Sequence, residues 1–210
     1  MIYPPELFSS RDLDQALEIV SGVKFATICL VEGGLADLVF APFMVSRMAV
    51  TPLLQGHLAK TNPLFTLLRD KPRACRLVFH AADGYISPSI YAEKQRTGEV
   101  VPTWNYVAAQ FCGTLEQVPQ EELMDLLEHQ VTVFETSAGS DWQLRDAPED
   151  YRQLMVDAIF GIRFHAERWA VHKKLSQNKP GEQDTVRAWI QRAVPRHKTL
   201  SYWMEKSEER

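Results

Sequence analysis

The stretch VPTWNYVAAQFCG, Val101 to Gly113, opens with aromatic and hydrogen-bonding side chains and continues with small and apolar ones. Extended to residue 118, it has the composition of a long strand, with an interruption predicted near Gly113. A strand that lies wholly in a core begins more typically with Val or Ile. The cluster of Trp104, Asn105 and Tyr106 therefore indicates that the beginning of this strand does something other than fill a core.

The rest of the chain predicts further strands on both sides of this one, separated by short helices. Two apolar runs around Gly33 and Gly34 predict a β-hairpin, and Asp83-Gly84 predicts a turn. Gly22 is expected to end the first helix, and Asn62 is expected to cap another at its N-terminus. The predicted strands are 23–32, 35–45, 52–60, 74–82, 101–118 and 158–171, and the predicted helices are 9–22, 62–70, 119–135, 148–157 and 181–194.

The order of these elements predicts an α+β, mainly β fold, in which an antiparallel barrel is decorated with helices. Strands and helices do not alternate regularly, which argues against a doubly wound parallel sheet. Neither GxGxxG nor GxxxxGK[ST] is present, so the two common nucleotide-phosphate loops are absent. We expect one domain over 1–210, with a helical insertion at about 119–157 and a helical C-terminal region at about 180–210. In the insertion, Leu123, Leu126, Leu127 and Val131 are predicted to form one apolar face.

Charge gives no global reason to bind nucleic acid, because the 210 residues carry a net charge of −4. The distribution is uneven: residues 1–160 carry −9 and residues 161–210 carry +5. The basic end is either a solvated helical region or a local site for an anion such as phosphate or nucleic acid.

Cysteine and histidine spacing argues against a metal site and against a disulfide framework. The three cysteines, at 29, 75 and 112, are odd in number and form no CxxC, so we expect reduced thiols and a cytoplasmic protein. The chain contains no HExxH and no GxSxG, so no metal ligand and no catalytic residue is predicted. Neither a signal peptide nor an apolar run long enough for a membrane helix is visible.

Four short segments place polar, Gly or Pro residues beside strand-like apolar runs: GHLAKTNP (56–63), YISPSIY (85–91), VPTWNY (101–106) and KKLSQNKP (173–180). The first segment offers donors just before a helix, where free amides favour an anion. The last combines three lysines with three neutral hydrogen-bonding side chains, which suits a phosphate monoester and the polar edge of a ring. Caps, turns and core packing use the same residues, so each segment alone has a structural explanation as well.

Taken together and in this order, the four segments resemble the PaiB family of FMN-binding negative transcriptional regulators, and the likeness extends from MIYPPELF to about VRAWI. The resemblance implies a split β-barrel related to pyridoxamine-phosphate oxidases and flavin reductases. It also implies FMN as cofactor, a homodimer with flavin at the subunit interface, and a role in repressing genes. VPTWNY would then begin its strand at a barrel rim facing the ligand, with the core part starting at Val107.

The resemblance implies cofactor-binding residues in all four segments. They are His57, Lys60, Asn62, Ser87, Tyr91, Thr103, Trp104, Asn105, Lys174, Ser176, Gln177 and Asn178. Two family histidines are replaced, by Ala41 in FAPF and by Gln110 in AAQFCG.

Three alternatives to a flavin-binding regulator stay open at this point. They are an FMN-dependent oxidoreductase, a haem-binding barrel that uses His165, His172 or His197, and an interaction module without a cofactor. No helix-turn-helix is visible, so contact with DNA is expected to be weak or indirect.

Overall fold

The computed structural model describes residues 6–32, 35–47, 51–193 and 198–208. The chain divides into two compact units, which we number. Unit 1 comprises Met1–Gly22, His80–Gln110 and Ala170–Arg210, and unit 2 comprises Val23–Phe79 and Phe111–Trp169. The expectation of a single domain stays a prediction.

Within the described residues, eight strands form one sheet, in which hydrogen-bonded neighbours follow the order β3-β2-β6-β7-β8-β5-β4, and β1 pairs with β8. The pairs of β1 with β8, β2 with β3 and β6, β4 with β5, and β5 with β8 are antiparallel. The strands are β1 (Ser9–Ser10), β2 (Phe25–Glu32), β3 (Leu35–Pro42), β4 (Met44–Arg47), β5 (Leu53–Ala59), β6 (Arg73–Ile86), β7 (Thr103–Gln117) and β8 (Ile159–Lys174). The predicted hairpin is the pair β2 and β3.

Helices lie between and after the strands, and two of them fall within 119–157, where the sequence predicts an insertion. Single 3₁₀ turns occur at Glu6–Phe8, Pro88–Ile90, Gln120–Glu122 and Leu144–Asp146. The α-helices are α1 (Leu13–Val23), α2 (Leu64–Asp70), α3 (Glu93–Arg96), α4 (Leu123–Ala138), α5 (Glu149–Asp157), α6 (Gln183–Ala193) and α7 (Lys198–Glu208).

Three predicted interruptions were wrong. Helix α1 runs through Gly22 and ends at Val23, and the positive φ of 58° falls on Lys24 instead. Strand β6 continues through Asp83 and Gly84 without a turn. Strand β7 continues through Gly113, because the missing side chain serves a close approach: a Cβ there would lie 2.0 Å from the carbonyl oxygen of His165.

The core of unit 2 is built from alternate residues of its strands and from one face of α4. The rings of Phe43, Phe79 and Phe111 meet edge to face, with centroids 6.4 Å and 5.9 Å apart. Helix α4 adds a second apolar cluster in which Leu123, Leu126 and Leu127 pack with buried valines. The predicted face of α4 was wrong at its last position, since Gln130 is buried and Val131 is only half-buried.

The core of unit 1 forms around α1 and the C-terminal helices. Ile19 and Val20 of α1, Val186 and Ile190 of α6, and Trp203 of α7 are all buried. Lys206 forms an ion pair with Glu18, which ties α7 to α1.

Candidate functional site

Two of the polar segments, VPTWNY and KKLSQNKP, are in direct contact within unit 1. The ammonium of Lys174 donates a hydrogen bond of 2.5 Å to Oγ1 of Thr103. Asn105 and Ser176 bond to each other twice, at 3.0 Å from Asn105 Nδ2 to Ser176 Oγ and at 3.2 Å from Ser176 Oγ to Asn105 Oδ1. Their exposed fractions are 0% and 2%. Two segments about 70 residues apart in the chain thus form one polar cluster.

The turn after β8 is held in an unusual backbone conformation by its own side chains. Ser176 has a φ of 65°, in the left-handed region that few residues other than glycine adopt. Gln177 accepts from the amide of Leu175 at 2.6 Å and donates to the carbonyl of Lys173 at 2.5 Å, so its polar atoms close the turn. Asn178 is exposed. Ser176 and Gln177 therefore hold the turn closed, whereas the side chains of Lys174 and Asn178 take no part in closing it.

The segment YISPSIY packs against this turn. The ammonium of Lys179 lies 4.4 Å from the ring centroid of Tyr91, which is buried. Burial raises the pKa of Tyr91, Ser176 opposes the rise through its hydroxyl, and the nearby Glu182 carboxylate adds to it. Ser87 accepts from the amide of Ser89 at 3.2 Å and caps the 3₁₀ turn.

Trp104 lies on the other face of β7 from Thr103 and Asn105, because successive side chains of a strand alternate. It is 52% exposed and meets Tyr85 edge to face, with ring centroids 6.2 Å apart. The aromatic and polar residues that open the strand are therefore divided between two faces, and the polar ones join the turn after β8.

The segment GHLAKTNP belongs to unit 2. Nδ1 of His57 lies 2.6 Å from Oε1 of Gln130, on α4. The backbone amide of Lys60 donates to the carbonyl of Ala158 at 2.9 Å. Asn62 accepts from the amide of Leu64 at 3.0 Å, but the predicted N-cap was wrong by one residue, since α2 begins at Leu64 and its N-cap is Pro63.

A groove of about 470 Å³ in unit 2 was not foreseen from the sequence. It lies between β3 and the beginning of α2, and the only charged side chain that lines it is Asp37. Its other lining residues are Leu30, Leu38, Val39, Phe40, Asn62, Pro63, Leu64 and Leu67. Apart from Asp37 and Asn62 the lining is apolar, so the groove has no positive charge to offer a phosphate.

The histidines considered for haem already have other partners. Nε2 of His165 lies 2.9 Å from Glu116, and Nε2 of His172 lies 2.8 Å from the amide nitrogen of Gln110. Burial lowers the pKa of His172, which favours the neutral form of this ring. His197 lies outside the described residues.

The described part of the chain shows neither a cluster of metal-ligating side chains nor a helix fit to span a membrane. Within it, no group of three or more His, Cys, Asp or Glu side chains is arranged to hold a metal ion. None of the helices described there has the length and apolarity needed to cross a membrane.

Comparison with known proteins identifies the family. Residues 2–168 match the family model described as "Putative FMN-binding domain". The chain belongs to this family. KKLSQNKP begins after the matched range, but Lys174 and Ser176 contact Thr103 and Asn105 inside it.

Two relatives show how far the likeness extends. An uncharacterized protein of Emericella nidulans is 34% identical over 161 residues, which cover 64% of this chain and 64% of that protein. The Protease synthase and sporulation protein PAI 2 of Bacillus subtilis is 24% identical over 181 residues, covering 85% of this chain and 83% of that one. The resemblance to the PaiB family is thereby confirmed.

Solved structures confirm the fold. The FAD and heme binding protein of Mycobacterium smegmatis matches with a TM-score of 0.57 and 15% identity, covering 79% of this chain and 73% of that one. The flavocytochrome Anf3 of Azotobacter vinelandii matches with a TM-score of 0.55 and 11% identity, covering 82% and 72%. The fold is the predicted split β-barrel with helices, and the family identifies FMN as the cofactor.

Proposed function

We propose that this protein binds FMN with the phosphate held at Lys174 and Thr103, and that it acts as a homodimeric repressor of genes. The observation that carries the proposal is the contact between VPTWNY and KKLSQNKP in unit 1. Family membership is the reason for proposing FMN as the cofactor. The contact offers donors, at Lys174 and Thr103, for the phosphate of FMN.

The donor set at Lys174 suits a phosphate. An ammonium has three donors, and one of them goes to Thr103, which leaves two for phosphate oxygens. Because Oγ1 of Thr103 accepts from the lysine, its own hydroxyl proton is available to a second oxygen. The partner of Lys174 in this bond is neutral, so the bond leaves the positive charge of the lysine to attract a dianion.

The neighbouring side chains then divide into two roles. Asn105, Ser176 and Gln177 hold the turn that carries Lys174, whereas Asn178 is exposed and can reach a ligand. Ser87 and Tyr91 belong to the segment packed against the turn. The exposed ring of Trp104, on the other face of β7 from Thr103, stays in the proposal as a separate apolar surface for a flat heterocycle.

His57, Lys60 and Asn62 remain part of the proposal as a separate set in unit 2. Lys60 supplies a cation. The side-chain oxygen of Asn62 accepts from the amide of Leu64, which leaves the Nδ2 group of Asn62 as a donor. Variants in this set test its contribution separately from that of Lys174.

The absorption spectrum of the purified protein tests the cofactor. We expect flavin bands, either in the protein as isolated or after addition of FMN. A Soret band would instead favour haem, and a colourless protein that FMN does not titrate would refute the proposal.

A second copy of the chain is proposed because large apolar side chains are exposed in each unit. Phe25, Leu38 and Phe40 in unit 2 and Trp104 in unit 1 each expose more than half of their surface. We expect light scattering to give twice the mass of one chain at micromolar concentration. The mass of a single chain would refute the dimer.

The regulatory part of the proposal rests on the likeness to PAI 2 and is tested on DNA. With a net charge of −4, direct binding to duplex DNA should be weak, limited to the basic C-terminal region and steeply weakened by salt. Tight, sequence-specific binding that salt leaves unchanged would refute the expectation of weak contact. The three free cysteines support a cytoplasmic site of action.

A further inference from the structure

Helix α4 carries a polar residue at a position where its pattern calls for an apolar one. The buried residues of this helix are Leu123, Leu126, Leu127 and Gln130, spaced by three and four. The three leucines pack into an apolar cluster. Gln130 is 2% exposed and is one of four polar residues that are buried in the described part of the chain.

Among the described residues, the side chain of Gln130 bonds to His57, on β5. Nδ1 of His57 and Oε1 of Gln130 are 2.6 Å apart. An amide oxygen can only accept, so Nδ1 of the imidazole must carry a proton and donate it. A neutral imidazole has one such proton, and Nε2 is therefore left as an acceptor.

This pair does not stabilise the core better than an apolar residue would. The Nε2 group of Gln130 is buried without a partner among the described residues, which carries a penalty. Leu would extend the apolar row of α4 without leaving a donor unpaired. The pairing with His57 is what Gln provides at this position and Leu does not.

We propose that Gln130 is a positioning residue that holds His57 as its Nδ1–H tautomer, so that Nε2 accepts a hydrogen bond from a donor of the bound flavin. Such donors are the imide N–H of the ring and the hydroxyls of the ribityl chain. This inference rests on the proposed function, in which His57 belongs to the separate set of proposed flavin-binding residues in unit 2.

The experiment compares the wild type with Gln130→Leu, which removes the acceptor, and Gln130→Glu, which keeps one. Long-range proton–nitrogen spectra of the ligand-free proteins at alkaline pH report the tautomer of His57, and a His57→Gln variant assigns its signals. We expect the Nδ1–H tautomer in the wild type and in Gln130→Glu, and its loss in Gln130→Leu. Circular dichroism checks that each variant is folded.

The same proteins are then titrated with FMN. Loss of one hydrogen bond should weaken FMN binding to Gln130→Leu by about 2- to 13-fold, while Gln130→Glu stays close to the wild type. An Nε2–H tautomer in the wild type, or an unchanged tautomer in Gln130→Leu, would overturn the positioning role. A changed tautomer with unchanged FMN affinity would overturn the contact with flavin.

The spectra and the titration test separate claims: the spectra test the tautomer of His57, and the titration tests its contact with flavin. If the wild type does not bind FMN at all, the proposed function is refuted together with the flavin contact. The spectra of the ligand-free protein would still decide whether Gln130 fixes the tautomer of His57.

Discussion

Ser176 offers a test of how the turn after β8 is held. Its hydroxyl is the partner of both polar atoms of Asn105, and its backbone has a left-handed φ of 65°. Ser176→Ala removes the hydroxyl but keeps a Cβ in the left-handed conformation. Ser176→Gly removes the same hydroxyl and relieves the backbone, so the two variants separate the two effects.

The magnitudes follow from the burial of Asn105, which is 0% exposed. An unsatisfied buried polar group costs about 1–3 kcal/mol, and Ser176→Ala leaves two, so we expect a loss of about 2–6 kcal/mol in the free energy of unfolding. A non-glycine residue in the left-handed region costs about 1–2 kcal/mol. Ser176→Gly should therefore be more stable than Ser176→Ala by about 1 kcal/mol.

Thermal unfolding followed by circular dichroism measures both variants, with Ser89→Ala, at an exposed serine, as control. For a chain of this size, the gap between the two Ser176 variants corresponds to about 2–4 °C in Tm. A Tm of Ser176→Ala equal to that of the wild type would contradict the role of the hydroxyl. A Ser176→Gly variant less stable than Ser176→Ala would contradict the backbone argument.

Three further predictions concern pH, thiol reactivity and close packing. Because the pKa of His172 is lowered in the folded protein, the unfolded chain takes up its proton at higher pH than the folded chain does as the pH falls below about 6.5. Stability should therefore decrease as the pH is lowered through that range, and it should decrease less in His172→Asn. Equal pH profiles of stability for the wild type and His172→Asn in chemical denaturation would contradict this. Burial raises the pKa of the Cys75 thiol to about 12, so about 10⁻⁴ of it is thiolate near pH 8. Mass spectrometry should show alkylation of Cys75 far more slowly in the folded than in the unfolded protein, and equal rates would refute its burial. Gly113→Ala should destabilise the protein, because its Cβ would meet the backbone, whereas Gly22→Ala, in an open helical position, should stabilise it by about 0.5–1 kcal/mol. Equal Tm shifts for the two alanine variants would refute the close approach at residue 113.

Much of the sheet could be predicted from the sequence, because its strands are long, apolar and alternating. The pattern could not show that β6 and β7 continue through their glycines. Asp83-Gly84 has the composition of a turn, and only the neighbouring strands keep it extended. Gly113 has the composition of a break, and its reason lies in the carbonyl of His165, which is distant in sequence.

The four segments of the candidate site could be predicted from the sequence. Which of their residues bond to each other could not. Composition marks Asn105 and Ser176 as hydrogen-bonding residues without indicating that they bond to each other. Alternation along β7 separates Trp104 from Thr103, which could have been anticipated from the period of a strand. Gln130 was missed because the apolar pattern favoured Val131, and the partner that makes a buried Gln tolerable is on another element.

The most direct test of the account compares FMN with riboflavin, which lacks the phosphate. Both flavins are titrated into the wild type, Lys174→Ala, Lys60→Ala and the control Lys94→Ala, at an exposed lysine. A charge-assisted hydrogen bond is worth roughly 1.5–3 kcal/mol, so Lys174→Ala should weaken FMN binding about 10- to 150-fold and riboflavin binding much less. Lys60→Ala tests the separate set of residues in unit 2 in the same two titrations. Equal losses for both flavins, or no loss of FMN affinity in Lys174→Ala, would contradict a phosphate site at Lys174 and Thr103.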